Sequence, residues 1–267
     1  MSDLTIYCLS TNYKNLKTIQ ELNYIPVGLK NENFSDEWLR DNTGLNISHK
    51  NPFYGEYTFY YWYWKNLLKY KKKDNWVGFC SYREYWKKNN DIYSNKLKDI
   101  ALQNVQSDWE SYDAIIGEPI EINKTKLSKI VKNGKMALLF NPYAIFKRGR
   151  NIKWHFDMYH GVKNLDKAIN LLPDNDREEF RKFTRTNYKY SRGNVFITKS
   201  EKILDDYFTY IFKWLEECER IFGFNLEGYG QKRMYAFLAE RFLPFWFKKY
   251  TKSLEWPMVF FDINKLN

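Results

Sequence analysis

Cysteine is scarce in this sequence: Cys8, Cys80 and Cys218 are odd in number and widely spaced, which fits neither a disulfide framework nor a paired C-x-x-C zinc site. Histidine is limited to His49, His155 and His160, and they form no H-E-x-x-H pair. The P-loop, the G-x-G-x-x-G fingerprint and the G-x-S-x-G nucleophile turn are also missing, so no motif points to a P-loop nucleotidase, a dinucleotide-dependent enzyme or a serine hydrolase. No apolar run reaches the length of about 18 residues that a membrane-spanning helix needs. The opening MSDLTIYCLS has no basic segment followed by a long apolar one, so a cytoplasmic protein without a signal peptide is expected.

Aromatic residues and positive charge are what the chain has in excess. Hydrophobic residues make up 44% of the 267 and aromatics alone 19%, enough for a large core, and a mean hydropathy of −0.67 fits a soluble protein. The length suits one domain, 1–267, with a helical C-terminal portion at about 201–250. A net charge of +11 is compatible with nucleic acid, an anionic membrane face or phosphorylated substrates. Its local runs are Lys69 with Lys71, Lys72 and Lys73, then Lys147, Arg148 and Arg150, which are solvated surface by default. Aromatics beside lysines are also what a nucleic-acid stacking platform needs, but here they fall at helix-core spacing with no recognition motif. Nucleic acid is therefore not an expected partner.

The stretch RDNTGLNISHKNPFYGEYTFYYWYWKN, residues 40–66, passes from polar to aromatic at its middle. Asn51-Pro52 reads as a helix start, with Asn51 as the cap and Pro52 in the first turn. Tyr57, Tyr60, Tyr61, Trp64, Leu67 and Leu68 then recur at the spacing of one buried helix face. The loop before them carries Arg40, Asp41, Asn42, Thr43, Asn46, Ser48 and Lys50, more donors and acceptors than a turn requires. It reads either as a solvated loop or as the wall of a pocket for a phosphorylated group, delivered to a helix N-terminus.

Short apolar runs at 4–10, 75–82, 112–119 and 193–200 read as strands, with YIPVGL as a further extended stretch. Residues 14–23, 91–107 and 163–187 read as helical, the last broken by PDND. A strong amphipathic helix is expected over Glu201–Phe222 and another over 231–247, interrupted near Pro244. The alternation predicts an α/β sheet covered by helices, with ligands beyond the carboxyl ends of the strands. Three more segments carry chemistry. In WVGFCSYREYW a buried strand opens into Tyr82, Arg83 and Glu84, either a phosphate-holding Arg or a surface Arg–Glu pair. In RGNVFITKSE, Arg192, Gly193 and Asn194 precede a strand. In QKRMYAFLAERF, Arg233, Glu240 and Arg241 lie on one helix, where a surface ion network is the ordinary explanation.

Together and in this order, these segments resemble the DUF4422 family, found in bacterial capsule and O-antigen loci and treated as glycosyltransferases. The first segment is similar to that family's R-D-[DN]-T-G-x-N-I-S-x-K-N-P motif through Arg40, Asp41, Thr43, Gly44, Asn46, Ile47, Ser48, Lys50 and Asn51, and to its continuation through Glu56, Thr58, Tyr61, Trp62, Trp64, Lys65 and Asn66. Gly78, Tyr82, Arg83 and Tyr85 match a strand-end G-L-x-H-Y-R-R-Y-F. Asn194, Phe196 and Ile197 match N-M-F-I, and Arg233, Phe237, Leu238, Glu240 and Arg241 match R-x-x-G-F-L-x-E-R-L. His160, Asn164 and Leu165 match a spaced H-x-x-x-[DN]-L. The chain departs at Ser81, where the family has His, at Glu84, where it has a second Arg, and at Thr11 or Asn12, where a His usually ends the first strand.

The resemblance implies a GT-A-like, Rossmann-related central sheet and a nucleoside-diphosphate sugar as donor, UDP-galactofuranose among the candidates. Donor-binding residues would be Thr11, Arg40, Asp41, Asn46, Ser48, Lys50, Asn51, Glu56, Tyr82, Arg83, Asn194 and Arg233. Many GT-A enzymes hold a divalent metal on Asp-x-Asp. Here the corresponding strand end reads Ser81-Tyr82-Arg83-Glu84, and Asp174 and Asp176 sit in a helix-capping turn. Arg83, with Lys50 or Arg40, is then expected to replace the metal. An inverting transfer needs a base, for which His160, Asp157 and Glu240 are candidates. The acceptor would be a capsular or lipopolysaccharide glycan, lipid-linked at the inner membrane face, with peripheral contact between the Lys runs and anionic lipid. The alternative is a catalytically inactive carbohydrate- or nucleotide-sugar-binding scaffold.

Overall fold

The computed structural model describes residues 3–30, 33–89, 92 and 94–265. Its centre is a mixed sheet, built as the alternation of strands and helices requires. In chain order the strands are β1 (Leu4–Ser10), β2 (Ile25–Gly28), β3 (Leu39–Arg40), β4 (Trp76–Ser81), β5 (Glu84–Trp86), β6 (Ala114–Gly117), β7 (Pro119–Glu121), β8 (Lys189–Ser191), β9 (Phe196–Thr198), β10 (Ser253–Trp256) and β11 (Met258–Phe260). The order across the main sheet is β10-β6-β9-β4-β1-β2-β3. β1, β2, β3 and β4 are parallel, as are β6 and β10. Only β9 runs against its neighbours β4 and β6 in this path. That reversal matters for the site: the residues entering β9, Arg192 to Asn194, reach the same sheet edge as the outgoing ends of β4 and β6. β5 folds back on β4 and pairs with β11, and β7 with β8 forms a separate ribbon.

Strand residues alternate between two cores, as the period of two demands. Tyr7, Leu9, Val27, Phe79, Ile116 and Phe196 face the long helices, while Ile6, Cys8, Cys80, Ile115 and Ile197 face the other layer. The amphipathic helix Glu201–Phe222 falls where its pattern predicts, capped by Ser200 Oγ accepting from Ile203 N at 3.2 Å.

Five local expectations are corrected. The helix at Asn51 is broken in two, Asn51–Tyr54 and Tyr57–Asn66, by Gly55 at φ +56°. Asn51 does not cap; it lies inside the first turn, and its Nδ2 donates to Gly55 O at 3.0 Å and Thr58 Oγ1 at 3.1 Å, holding the break together. The aromatic helix Tyr57–Asn66 is buried beyond one stripe: Phe59, Trp62 and Tyr63 are buried with Tyr57 and Tyr60, because the sheet and the long helix pack it from both sides. Within 91–107, of which residues 91 and 93 lie outside the described residues, the only α-helix is Leu97–Ile100. Last, the helix Met234–Tyr250 continues through Pro244; its apolar residues are buried over nearly the whole length, and that packing outweighs one lost backbone bond.

Candidate active site: a cleft at the carboxyl ends of the strands

The polar loop of residues 41–50 is fastened to the aromatic helix by side chains that the helix sends back. Trp62 Nε1 donates to Thr43 O at 2.8 Å. Asn66 Nδ2 donates to Leu45 O at 2.8 Å, while its Oδ1 accepts from Leu45 N at 3.1 Å. This is why the two halves of the 40–66 stretch belong together: the buried rings anchor the helix, and the helix sets the loop. Asn46 closes the loop locally, accepting from Ser48 N at 3.2 Å and Ser48 Oγ at 2.9 Å.

Beside this loop lie two adjoining cavities that share Tyr229 and Arg233. The larger, about 560 Å³, is lined by Lys30, Ser48, His49, Asn51, Lys232 and Arg233 among others, and no carboxylate joins them among the described residues. It is a cationic chamber. The smaller, about 250 Å³, places Arg83, Arg192 and Arg233 against Glu56, Glu84 and Glu240, with Asn194 and Phe237 in its wall. Glu84 reaches it from the β4–β5 turn, Arg192 from the entry to β9, and Glu240 from the helix Met234–Tyr250.

The ion pairs differ from those expected. Glu84 pairs with Arg192 at 2.8 Å rather than with its neighbour Arg83. Arg233 pairs with Glu56 at 3.2 Å, across the chain, and not along its own helix. Glu240 accepts from Gly193 N at 2.9 Å and is bonded to Arg241. Gly193 has φ +78°, and a Cβ there would stand 2.6 Å from Glu84 Oε2, so this turn allows both carboxylates to approach the same backbone. Burial pushes the Glu84 carboxyl above the usual range; Glu240 and Glu56 push it the same way, and Arg192 and Arg83 oppose them. Glu84 was legible only as a surface pair, because nothing local shows that β9 enters opposite it.

Of the other sequence candidates, Ser48, Asn51, Glu56, Arg83, Asn194, Arg233 and Glu240 line the two cavities. Thr11, Arg40, Asp41 and Tyr82 lie at strand ends on the same edge, outside the linings. Arg40 Nη2 donates to Lys30 O at 2.6 Å, and Asp41 is buried, which raises its carboxyl. Asn12, at the first strand's end, donates to Asn264 Oδ1 at 3.2 Å. Lys50 is turned away: its ammonium pairs with Glu219 at 2.6 Å on the long helix, so it is not placed to stand in for a metal. His160 and Asp157 do not reach the cleft. The His160 ring stacks on Phe237 at 4.0 Å, behind the cavity wall, with Nδ1 3.0 Å from Gly230 O. Burial first, and Arg241 second, hold its pKa down to about 3. Asp157 is bonded to Lys153 and accepts from Lys163 N at 3.2 Å, closing the end of its helix.

Asp174 and Asp176 also part ways. Asp174 pairs with Arg177 at 3.0 Å, whereas Asp176 is buried and accepts from Tyr250 at 2.6 Å and Lys249 at 2.9 Å. Among the described residues no group of three or more His, Cys, Asp or Glu is placed to hold a metal ion. A cavity of about 880 Å³ on the outer face of the long helix is larger than either chamber, but no strand end contributes to it.

The family model described as Domain of unknown function (DUF4422) matches residues 5–252. The chain belongs to the DUF4422 family. A search of the curated proteins finds no match. Among solved structures, the apo form of the bifunctional glycosyltransferase WbbM is similar over 97% of this chain, with a TM-score of 0.67 and 19% identity. This chain spans 45% of that chain. The likeness is one of fold, and it identifies the sheet of this DUF4422 member as α/β and GT-A-like.

Proposed function

We propose that the chain is a glycosyltransferase that moves a sugar from a nucleoside-diphosphate sugar to a glycan acceptor. The observation that carries this reading is the arginine–carboxylate cleft at the carboxyl edge of a glycosyltransferase-like sheet. The cationic chamber of Lys30, Lys232 and Arg233 suits a diphosphate. The adjoining carboxylates suit deprotonation of a hydroxyl. Arg233, shared by both, stands where a leaving diphosphate would gain charge, and preorganised cations at such a point lower the barrier. Arg83 flanks it. The donor set of the smaller chamber mixes three Arg with three Glu, which favours charge neutralisation by guanidinium groups, and no step is assigned to a metal.

In the transfer itself, an acceptor hydroxyl gives its proton to the Glu84–Glu240 pair, its oxygen bonds to the anomeric carbon, and the bond from that carbon to the diphosphate breaks. The electron pair leaves on the nucleotide. Direct displacement of this kind inverts the anomeric centre. UDP-sugars, UDP-galactofuranose included, are the first donors to try, with capsular or lipopolysaccharide glycans as acceptors.

The test is a thermal-shift screen against UDP, GDP, CMP and dTDP and their sugars, with Mn²⁺ or EDTA, followed by transfer assays with the stabilising donor. Selective stabilisation by one nucleotide family and transfer in excess EDTA are expected. Loss of all transfer in EDTA, restored by metal, would reject the guanidinium reading.

A further inference from the structure

Between Glu121 and Asp157 the sequence holds nine Lys and Arg and no Asp or Glu. The same segment carries the densest exposed apolar surface among the described residues. It folds as two short helices, Leu127–Asn133 and Lys135–Phe140, followed by 3₁₀ turns at Pro142–Ile145 and Lys147–Gly149. One side is anchored: Ile130, Ala137 and Ala144 pack on Trp154 and Met158. The other side is open. Met136, Leu139, Phe140, Tyr143, Ile145 and Phe146 are each between 53% and 72% exposed, and Leu127 and Val131, one helical turn apart, are exposed beside them.

This surface is built, not frayed. The buried Arg150 guanidinium donates to Ala144 O and Ile145 O at 2.8 Å and to Asn123 O and Thr125 O at 2.9 Å. It thereby ties the start of the segment to its end. Lys126, Lys129, Lys132, Lys135, Lys147 and Arg148 are exposed around the apolar residues, and none of them forms an ion pair among the described residues.

We infer that residues 126–148 form a docking platform that seats this protein on an anionic lipid bilayer. Apolar side chains surrounded by basic ones match the acyl boundary and the phosphate headgroups together. Charge argues against a second copy of the chain as the occupant, because a two-fold contact would bring like lysines face to face, and lysine is depleted in protein interfaces. No helix among the described residues is long and apolar enough to cross a membrane, so the contact is interfacial. Of the two basic runs expected to meet lipid, Lys147 and Arg148 fall within the platform and the Lys69–Lys73 run does not. That run precedes β4 and lies at the sheet edge opposite the cleft, with Lys71 Nζ donating to Lys199 O at 2.6 Å.

The platform lies one helix from the cleft. Trp154 and Met158 of Ile152–His160 pack under it, and His160 at the end of that helix stacks on the cleft residue Phe237. Delivery of a lipid-anchored acceptor to the cleft would follow, a consequence that rests on the glycosyltransferase reading; the docking itself does not.

The experiment is vesicle co-sedimentation of the full chain with phosphatidylcholine alone and with added phosphatidylglycerol. Binding to the anionic vesicles that weakens with salt is expected. Lys129→Glu, Lys132→Glu and Lys135→Glu together should lower partitioning on the order of 100-fold, and Leu139→Asp with Phe140→Asp should lower it at high salt too. The same charge reversal at Lys69, Lys72 and Lys73 should leave binding much closer to wild type. All positions substituted are on the surface, and an unchanged melting temperature and nucleotide binding would show that fold and cleft are intact. Absent binding, binding indifferent to lipid charge, or platform variants that bind like wild type would overturn the inference. So would lipid-free dimerisation abolished by Leu139→Asp.

Discussion

Replacing Arg233 by Ala tests the junction between the two chambers. The guanidinium is three-quarters enclosed, its Nη2 held 3.2 Å from Glu56, with a side-chain exposure of 27%. Its place is also fixed by Gly55 at φ +56°, where a Cβ would collide with Nη2, so the side chain is aimed before any ligand arrives. A charge-assisted hydrogen bond to a diphosphate contributes about 1.5–3 kcal/mol, equivalent to about 10- to 150-fold in affinity or rate. Arg233→Ala should therefore lower kcat/KM by about that factor. The loss of the Glu56 pair should cost little stability, since both partners are partly solvated. Arg233→Lys keeps the charge but loses the planar fork, and should recover only part of the activity. The assay is calorimetric titration of nucleotide diphosphate alongside steady-state transfer. A folded Arg233→Ala protein with unchanged nucleotide affinity and unchanged kcat/KM would refute the placement of the diphosphate.

Other outcomes follow from individual groups. Glu84→Gln should reduce turnover by about 10²–10⁴-fold if the carboxylate pair is the base, and the acid limb of the wild-type pH profile should lie above the ordinary glutamate value of 4.5. Because this raised carboxyl is easier to keep protonated in the fold, its contribution to stability is present below its unfolded pKa and fades as pH rises through the folded one; melting scans of wild type against Glu84→Gln at several pH values check the sign. His160→Gln should leave kcat close to wild type. His160 is held neutral, with a folded pKa of about 3 against 6.5 for the free side chain, so wild-type stability should fall as pH drops below about 6.5, more than it does in the variant. At Asp176, burial raises the carboxyl, but bonds from Tyr210, Tyr250 and Lys249 outweigh it and hold its pKa below the usual value. Asp176→Asn should therefore destabilise by about 2 kcal/mol near neutrality, with the difference vanishing as pH falls through the folded pKa; denaturant titration reads it.

The parts of this molecule legible in its sequence were those written in local patterns. The helix Glu201–Phe222 shows its apolar stripe, and β1, β4 and β6 are short apolar runs. The tight join between the polar loop and the aromatic helix was visible as a change in composition, although the bonds that make it, from Trp62 and Asn66, were not. What the sequence hid is non-local. β3, β5, β8 and β11 are two or three residues long and exist because neighbouring strands offer hydrogen bonds, not because of their own propensity. Glu84 looked like half of a surface pair until β9, entering in reverse, brought Arg192 and Gly193 against it. His160 and Asp157 have the chemistry of a base, yet lie behind Phe237 and at a helix end, which depends on how Ile152–His160 packs. The exposed face of residues 127–146 contains too few turns per helix for its periodicity to be read, and only burial separates its two sides.

Sugar transfer at the cleft should release the nucleotide and lengthen the glycan in the same reaction. The experiment incubates the full chain with each nucleoside-diphosphate sugar and a panel of glycan acceptors in EDTA, and follows nucleotide release and glycan mass together. One donor class is expected to give both, with the two signals falling together in Arg233→Ala and Glu84→Gln. Nucleotide binding with no glycan product from any donor would contradict it and leave a binding protein on a glycosyltransferase fold.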